Sequence, residues 1–208
     1  MIIAAQARAY RKQKSAINQE KEGIFSSFAL SYLIMITCYV ALGGNKRQTL
    51  TVMERALISL SATDGIRNVE TSRLYRTSAV SDLPQEDYLN AVARFHCSLP
   101  LPLLWGTLTT LEKSLGKEVK AKNSPRLIDL DLLFYDSLRY QDEQLTLPHP
   151  RWQERLFVLT PLLDLTSELF FEEKTVIDLF KLISLFPNPN HERVMPLDHT
   201  LPFQKVHR

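Results

Sequence analysis

An arginine and two carboxylates lie within the otherwise apolar segment of residues 125–134, PRLIDLDLLF. If this segment is a β-strand, alternation puts Asp129 and Asp131 on one face and the apolar side chains on the other, namely Ile128, Leu130, Leu132 and Phe134. With a rise of roughly 3.3 Å per residue, the carboxylates lie about 6.6 Å apart and repel by about 2.5 kcal/mol at an effective dielectric constant of about 20. A divalent cation such as Mg²⁺ or Mn²⁺ would turn this repulsion into attraction. The alternative is a solvated acidic strand face, because Asp-x-Asp also occurs by chance.

A basic loop directly precedes the acidic strand. Residues 117–126, KEVKAKNSPR, contain four cationic side chains and one anionic side chain. Such a loop is usually just solvated, but cations bind phosphate oxygens as carboxylates bind metals. Because the two segments are neighbours, the sequence favours a metal–phosphate site and a solvated strand face about equally.

Three further features are candidates for binding residues or turns. In the strand predicted over 89–97, alternation puts Ala91, Ala93, Phe95 and Cys97 on one face and Asn90, Val92, Arg94 and His96 on the other. Tyr88 and Asn90 open the polar face of this strand, although singly an aromatic there is more often packed and an asparagine more often a cap. His149 lies between two prolines, which restrict its backbone and predict an exposed, positioned imidazole. Gly43 and Gly44 match neither the dinucleotide-binding fingerprint nor the Walker loop, so we interpret them as a tight turn without a ligand.

The hydrophobic pattern predicts the elements that position these residues. The expected order is a strand over 39–42, a helix over 50–60, strands over 66–76 and 89–97, a helix carrying Leu104, Leu108, Leu111 and Leu115, the acidic strand, and a short helical stretch within 151–165. This order fits an α+β fold with a ferredoxin-like βαββαβ core, in which helices pack on an antiparallel sheet. A helical or hairpin extension is expected to follow the core.

Composition limits the classes of protein and of partner. The chain has 208 residues, 45% of them hydrophobic and 23% charged, which predicts one globular domain with tails. A formal net charge of +2 gives no indication of nucleic acid or of an anionic membrane as a partner. Cys38 and Cys97 form no Cys-x-x-Cys pair and lie near no histidine at metal-ligand spacing, which favours a reducing, cytoplasmic setting.

Domain boundaries are predicted near both ends. Residues 1–34 combine a basic segment with an apolar run but lack an Ala-x-Ala cleavage site. We therefore expect an N-terminal extension, disordered or preceding a natural start at Met35, rather than a signal peptide or membrane anchor. The domain is predicted over 35–186, and residues 187–208, rich in Pro, Asn, His and charge, are predicted to be a linker or tail.

Four blocks of residues occur in a fixed order along the chain. They are Ala41-Leu42-Gly43-Gly44-Asn45; Tyr75-Arg76-Thr77 with Asp87-Tyr88-Leu89-Asn90; Pro125-Arg126 with Asp129-Leu130-Asp131; and Leu147-Pro148-His149 with Arg155 and Phe157. Together they resemble the 6-hydroxymethyl-7,8-dihydropterin pyrophosphokinase family over roughly residues 36–180. The resemblance implies a transferase of folate biosynthesis that moves pyrophosphate from ATP to a pterin alcohol and releases AMP.

The resemblance also implies roles for single residues. Asp129 and Asp131 would hold two Mg²⁺ ions, and Arg126 and Lys117 would act on the phosphates beside them. The residues implied in ATP binding are Glu112, Lys117, Arg126, Leu132, Thr146, His149 and Arg155, with Leu132 and Thr146 partly through their backbones. Those implied in pterin binding are Thr77, Ser78, Val80, Tyr88, Asn90, Asn123 and Phe157, with Tyr88 and Phe157 stacking on the flat ring. The implied mechanism is in-line attack of the pterin hydroxyl on the β-phosphorus without a covalent intermediate.

Several residues depart from the family pattern, among them Asn123, Lys117, Val119 and Pro150, and two other classes of protein stay open. Asn123 stands where many members have tryptophan, and Lys117 replaces a common arginine, which exchanges a planar fork for a point charge. A nucleotidyltransferase would release pyrophosphate instead of AMP, and a ferredoxin-like regulatory domain would have no catalysis. The expected partners are ATP, hydroxymethyldihydropterin and dihydropteroate synthase, either fused or separate, with no nucleic acid and no membrane.

Overall fold

The computed structural model describes residues 35–79, 85–117, 124–167, 170–171, 174–185 and 193–204. The predicted extension up to residue 34 and the predicted pterin residues Val80 and Asn123 lie outside the described residues. Contacts between residues divide the chain into residues 1–35 and 36–208. All elements described below belong to the second of these units.

The first half of this unit alternates strands with two helices. In order they are β1 (Ile36–Gly44), α1 (Thr49–Ser61), β2 (Ile66–Thr71), β3 (Tyr75–Thr77), β4 (Tyr88–Cys97), α2 (Leu101–Ser114) and β5 (Asp129–Tyr135). Pro102 stands in the first turn of α2, and Gly116 follows the helix with a φ of +95°, so that both residues mark its ends. The strand expected over 66–76 is divided into β2 and β3. Ser72 lies between them, and its Oγ, not a backbone carbonyl, accepts the N–H of Val92.

The second half of the unit consists of shorter elements. They are β6 (Tyr140–Gln141), β7 (Thr146–Leu147), a 3₁₀ turn (Trp152–Glu154), α3 (Leu156–Leu165), β8 (Phe170–Phe171), β9 (Lys174–Thr175), α4 (Val176–Leu185) and β10 (Val194–Pro196). This half is the predicted helical and hairpin extension. Within the described ranges, no helix combines the length and the apolar character needed to cross a membrane.

The main sheet has the strand order β10-β3-β4-β1-β5, with β2 also paired to β4, and all these pairs are antiparallel. Helices α1 and α2 cover one face of it through Met53, Leu57, Leu104 and Leu108, all fully buried. The predicted alternation of β4 is confirmed, since the side chains that face this core are Ala91, Ala93, Phe95 and Cys97. The fold class predicted from the order of elements is therefore confirmed.

The other face of the sheet carries a second, smaller core. Trp152 of the 3₁₀ turn and residues of α3 and α4 pack there against Tyr39, Leu133 and Phe134. The ring of Phe134 makes edge contacts with Tyr39 and Trp152, at centroid distances of 5.9 and 4.8 Å.

Phe134 lies on the face opposite to the predicted one. Pairing between β5 and β1 shifts by one residue, so that Val40 faces Leu132 while Tyr39 faces Phe134. The additional residue, Leu133, breaks the alternation of the strand as a β-bulge does. The prediction was wrong for Phe134 and correct for Leu130 and Leu132, which pack in the first core.

Residues 193–204 pack against the edge of the main sheet. Strand β10 pairs with β3, and beyond it Leu201 is 2% exposed and belongs to the first core. Thr71 donates its N–H to the carbonyl of Phe203 and its hydroxyl to that of Pro202. Composition predicted a linker or tail here; the structure instead has an edge strand and a buried anchor, because a few apolar residues suffice to close the sheet edge.

Candidate active site

The last two residues of β1 join β4 to β5. Gly43 is paired with Asn90 on one side and with Asp129 on the other. A Cβ atom on Gly43 would lie 2.9 Å from the Asn90 Oδ1, and one on Gly44 would lie 2.5 Å from the carbonyl oxygen of Leu127. The interpretation of these glycines as a tight turn is wrong, because they lie inside a strand where neighbouring groups approach too closely for a side chain. One residue thus separates a predicted pterin contact from a predicted metal ligand.

Asp129 contacts both of the predicted catalytic cations. Lys117 Nζ lies 3.1 Å from Asp129 Oδ1, and Arg126 Nη1 lies 2.5 Å from Oδ2. The Asp129 side chain is 15% exposed, against 38% and 37% for the two cations, so the carboxylate lies beneath them. Asp131 is half-buried two residues further along β5. The structure therefore places the basic loop and the acidic strand in direct contact.

Glu112 on α2 holds the lysine and the strand together. Its Oε1 accepts the N–H of Leu130 at 2.6 Å and the ammonium of Lys117 at 2.8 Å. Burial raises the pKa of Glu112, against the opposing effect of these two hydrogen bonds. Burial lowers the pKa of Lys117, but its hydrogen bond to Glu112 and the charge of Asp129 outweigh this, so that the pKa is raised and the ammonium is charged. Glu112 was predicted to contact ATP, but its Oε1 accepts hydrogen bonds from two groups of the protein, the Lys117 ammonium and the Leu130 N–H.

Arg126 has an unused donor in this arrangement. Among the residues that the structure describes, its Nε is the one buried side-chain nitrogen or oxygen without a hydrogen-bond partner. Burial lowers the pKa of Arg126, but the hydrogen bond and the charge of Asp129 outweigh this effect. Tyr88 and Asp131 add smaller contributions in the same direction as Asp129, so that the pKa is raised overall. The guanidinium is therefore charged, and it interacts electrostatically with Tyr88 of the predicted pterin site and with the predicted metal ligands Asp129 and Asp131. Its remaining N–H suits an anionic ligand.

Asn45 is a positioning residue for which no role was predicted from the sequence. It is 5% exposed, its Oδ1 accepts the backbone N–H of Arg126 at 2.9 Å, and its own N–H donates to the Arg126 carbonyl at 2.9 Å. Its Nδ2 donates to Gln85 Oε1 at 3.2 Å and to the carbonyl of Glu86 at 3.3 Å. One side chain thus binds the segment that carries Arg126 to the segment that leads into β4. Asn45 belongs to the first of the four family blocks, which indicated that it matters. Its partners could not be predicted from the sequence, because an amide side chain can both donate and accept hydrogen bonds.

Three predicted pterin residues lie together where β3 meets the start of β4. Thr77 is paired with Tyr88, and Asn90 Nδ2 donates to Thr77 Oγ1 at 2.7 Å. Thr77 and Asn90 are almost fully buried, whereas Tyr88 is half-buried with its hydroxyl 3.5 Å from Gln85 Oε1. Ser78 directly follows Thr77 and forms hydrogen bonds with Arg193.

Arg155 and Phe157 belong to the layer of α3. The guanidinium carbon of Arg155 lies 5.4 Å from the centre of the Phe157 ring, within the range of a cation–π contact. Phe157 packs against the second core without being fully buried. A partly exposed aromatic face next to a cation suits a ligand that combines a flat ring with an anion.

His149 is half-buried, not exposed as the flanking prolines predicted. The backbone N–H of His149 donates to the backbone carbonyl of Leu133 at 3.0 Å, which attaches the histidine to the edge of β5. Burial lowers the pKa of His149, Asp131 opposes this and Arg155 adds to it. His149 therefore lies in the electrostatic field of both Asp131 and Arg155.

The last two predicted ATP residues differ in their surroundings. Leu132 is 1% exposed and packs in the first core, so its side chain is enclosed, and its contact with a nucleotide through the backbone stays a prediction. Thr146 is half-buried on β7, where it pairs with Gln141.

The donor set on β5 suits a divalent cation that is shared with a substrate. Carboxylate oxygens are the ligands that Mg²⁺ prefers, and it is usually held by one or two of them together with phosphate oxygens and water. The described residues form no group of three or more His, Cys, Asp or Glu that could hold a metal by itself. Asp129 and Asp131 fit a metal that arrives with a phosphorylated ligand.

The fold and the site define a class of protein: an α+β transferase in which carboxylates and cations alternate at one end of the sheet. Residues 39–167, more than half of the chain, match the family described as 7,8-dihydro-6-hydroxymethylpterin-pyrophosphokinase (HPPK). The chain is 36% identical over 146 residues to the 2-amino-4-hydroxy-6-hydroxymethyldihydropteridine pyrophosphokinase of Synechocystis sp., covering 69% of this chain and 74% of that protein. The protein of the same name from Methylorubrum extorquens is 35% identical over 142 residues, with coverage of 68% and 90%. This chain belongs to the HPPK family, and the resemblance seen in the sequence is confirmed.

Larger proteins match over part of their length. The mitochondrial folate synthesis bifunctional protein of Arabidopsis thaliana is 36% identical over 146 residues, which are 68% of this chain and 26% of that protein. The structure of an HPPK-DHPS triple mutant of Plasmodium falciparum superposes with a TM-score of 0.57 at 14% identity, covering 73% of this chain and 44% of that chain. At this identity the likeness shows the fold alone. The chain spans less than half the length of these two proteins.

Proposed function

We propose that this member of the HPPK family transfers pyrophosphate from ATP to 6-hydroxymethyl-7,8-dihydropterin, giving AMP and the pterin diphosphate in folate biosynthesis. One observation carries the proposal: Gly43 pairs with Asn90 on one side and with Asp129 on the other. The polar group proposed for the pterin and the carboxylate proposed for the metal are therefore neighbours across a single residue. Lys117 and Arg126, the proposed phosphate ligands, both contact that carboxylate.

Asp129 and Asp131 would hold Mg²⁺, with two ions expected from the family. When bound, Mg²⁺ supplies Lewis-acid polarisation of phosphate oxygens. Both oxygens of Asp129 contact a cation of the protein, Lys117 on one and Arg126 on the other. These cations have to exchange Asp129 for another anion when a metal binds, and the phosphates of ATP supply it. Metal and nucleotide are therefore expected to bind together.

In the reaction, a bond forms between the pterin hydroxymethyl oxygen and the β-phosphorus, while the bond from that phosphorus to the oxygen of the α-phosphate breaks. The hydroxyl proton is released to solvent, and AMP leaves with the bridging oxygen. Lys117 and Arg126 stabilise the negative charge on the phosphate oxygens, and both carry full charge because their pKa values are raised. His149 is mostly neutral at pH 7, since its pKa is lowered by burial, so it can donate a hydrogen bond to a phosphate without adding charge.

The pterin is proposed to bind at the junction of β3 and β4, opposite the layer of α3. Tyr88 and Phe157 would stack on its rings, because a planar heterocycle buries both faces against aromatics. Thr77, Ser78 and Asn90 would bind its polar edge. Val80 and Asn123, outside the described residues, stay predictions for the same pocket.

The test is product analysis with purified protein, ATP, Mg²⁺ and hydroxymethyldihydropterin. We expect AMP that depends on the pterin, measured by ion-exchange chromatography, and a pterin product that carries two phosphates. A matched reaction without pterin measures background hydrolysis. Release of free pyrophosphate instead of AMP would identify a nucleotidyltransferase, and no pterin-dependent product would reject both.

We also propose dihydropteroate synthase as the partner that uses the product, as a fused domain or as a separate protein. The matches to bifunctional proteins support this. Sequencing of the coding frame beyond residue 208 tests the fused form, and co-purification from the source cells tests the separate form.

A further inference from the structure

We infer that residues 193–204, here called the C-terminal segment, position the pterin half of the site. The segment lies outside the range 39–167 that matches the family. The inference rests on the proposed function, because it assigns the segment to the pterin pocket at β3 and β4. Three observations support it: pairing with β3, hydrogen bonds to Ser78, and an anchor in the main core.

Strand β3 has three residues and lies between β4 and the C-terminal segment. Val194, Met195 and Pro196 of β10 pair with Thr77, Arg76 and Tyr75. The N–H of Leu197 continues this contact by donating to the carbonyl of Leu74 at 2.9 Å. Without this segment, the three residues of β3 would form the edge of the main sheet and would be hydrogen-bonded to β4 alone.

The segment also contacts the residue that follows β3. Ser78 donates its N–H to the carbonyl of Arg193 at 3.1 Å, and the N–H of Arg193 donates to Ser78 Oγ at 2.9 Å. This pair fixes both the backbone and the hydroxyl of a predicted pterin residue. The Arg193 side chain is exposed, so its backbone makes these contacts.

The far end of the segment is held by the body of the domain. Leu201 is 2% exposed within the first core, and Thr71 binds the carbonyls of Pro202 and Phe203. His199 lies 3.0 Å from a carboxylate oxygen of Glu54 on α1. These contacts keep β10 in register against β3.

The position of β3 affects the orientation of the Asn90 side chain, which is proposed to bind the polar edge of the pterin. Thr77 Oγ1 accepts from Asn90 Nδ2 at 2.7 Å, and both side chains are almost fully buried. A displacement of Thr77 therefore changes the partner that orients Asn90. Lys117, Asp129 and Asp131, the proposed phosphate and metal ligands, lie after α2 and on β5, on the other side of β1. We therefore expect the segment to affect the KM for the pterin and not the KM for ATP.

The test compares Arg193→Pro with Arg193→Ala in the full-length protein. Proline removes the N–H that donates to Ser78, whereas alanine removes the exposed side chain and keeps that N–H. For Arg193→Pro, we expect the KM for hydroxymethyldihydropterin to rise about tenfold, the change that corresponds to roughly one hydrogen bond, with the KM for ATP unchanged. Arg193→Ala should match wild type for both substrates. Equal pterin KM values for the two variants would overturn the inference.

A second pair of variants serves if proline prevents folding. Leu201→Ala loosens the anchor, and Leu60→Ala removes an equally buried leucine of the same core on α1. We expect both to lower the unfolding midpoint but only Leu201→Ala to raise the pterin KM, measured where circular dichroism shows both folded. A rise of the same size in both variants would make the segment a structural element only. If wild type forms no AMP the proposed function fails, whereas normal wild-type turnover with no selective effect in either pair rejects this inference alone.

Discussion

Asn45→Ala should separate the two halves of the site while removing few atoms. The side chain accepts the Arg126 N–H and donates to Gln85 and to the carbonyl of Glu86. Alanine removes these three hydrogen bonds, which come from a side chain that is 5% exposed. The variant keeps the backbone hydrogen bond from residue 45 to the Arg126 carbonyl.

The magnitude follows from the three hydrogen bonds that are lost. At about 1 kcal/mol net for each, the unfolding free energy should fall by about 3 kcal/mol. Gln85→Ala is the control for stability: it removes one of the hydrogen bonds of Asn45 together with the long contact, 3.5 Å, from the Tyr88 hydroxyl, and should cost about 1 kcal/mol or less. Urea denaturation followed by tryptophan fluorescence measures both values, because Trp152 is buried in the second core.

Kinetics test the positioning role of Asn45 separately from stability. Because the amide fixes the backbone of Arg126, the value of kcat/KM for ATP should fall with that for the pterin under conditions where Asn45→Ala is folded. A stability loss no larger than that of Gln85→Ala, together with normal kcat/KM values, would show that Asn45 does not connect the two segments as argued.

Three more outcomes are expected. Asp131→Ala should abolish AMP release while changing the unfolding free energy by less than about 0.5 kcal/mol, since it removes a half-buried carboxylate from an acidic face; near-normal turnover would reject the metal assignment. Gly44→Ala should destabilise the protein by about 1–3 kcal/mol in denaturant titration, because the new Cβ would lie 2.5 Å from the Leu127 carbonyl; a neutral effect would mean that β1 can shift. Burial raises the pKa of Asp164, but the hydrogen bonds from Arg73 outweigh it and the pKa is lowered, so its contribution to stability is present above the ordinary aspartate pKa and is lost as pH falls through the lower folded value. The stability difference between wild type and Asp164→Asn should therefore shrink in acid, and a difference independent of pH would contradict this.

The predictable parts of the fold were those set by local periodicity. Alternation along β4 correctly assigned Ala91, Ala93 and Phe95 to the core, and the leucines of α2 recur at helical spacing. The same rule failed at Phe134, because a bulge in the pairing with β1 shifts the register, and that shift depends on the partner strand. Gly43 and Gly44 were misassigned for a related reason: the need for glycine comes from β4 and β5, not from the neighbouring residues.

The candidate site shows the same division. Asp129, Arg126 and Lys117 were identified from their types and spacing, and the structure places them in contact. Their mutual neutralisation was not foreseen, nor was the role of Glu112 in holding Lys117 against β5, because both depend on the distance between α2 and the strand.

The sequence by itself determined the residue types at the candidate site: the acidic strand and the basic loop before it are contiguous in the chain, and the four blocks that mark the family follow one another in a fixed order. Only the tertiary structure decided how those blocks are joined. Asn45 reaches partners 40, 41 and 81 positions away, and residues 193–204 return to complete the edge of the sheet at Thr77. The physical reason is that side-chain types and periodicity are local properties, whereas hydrogen-bond partners and strand register are set by segments that meet only when the sheet has formed.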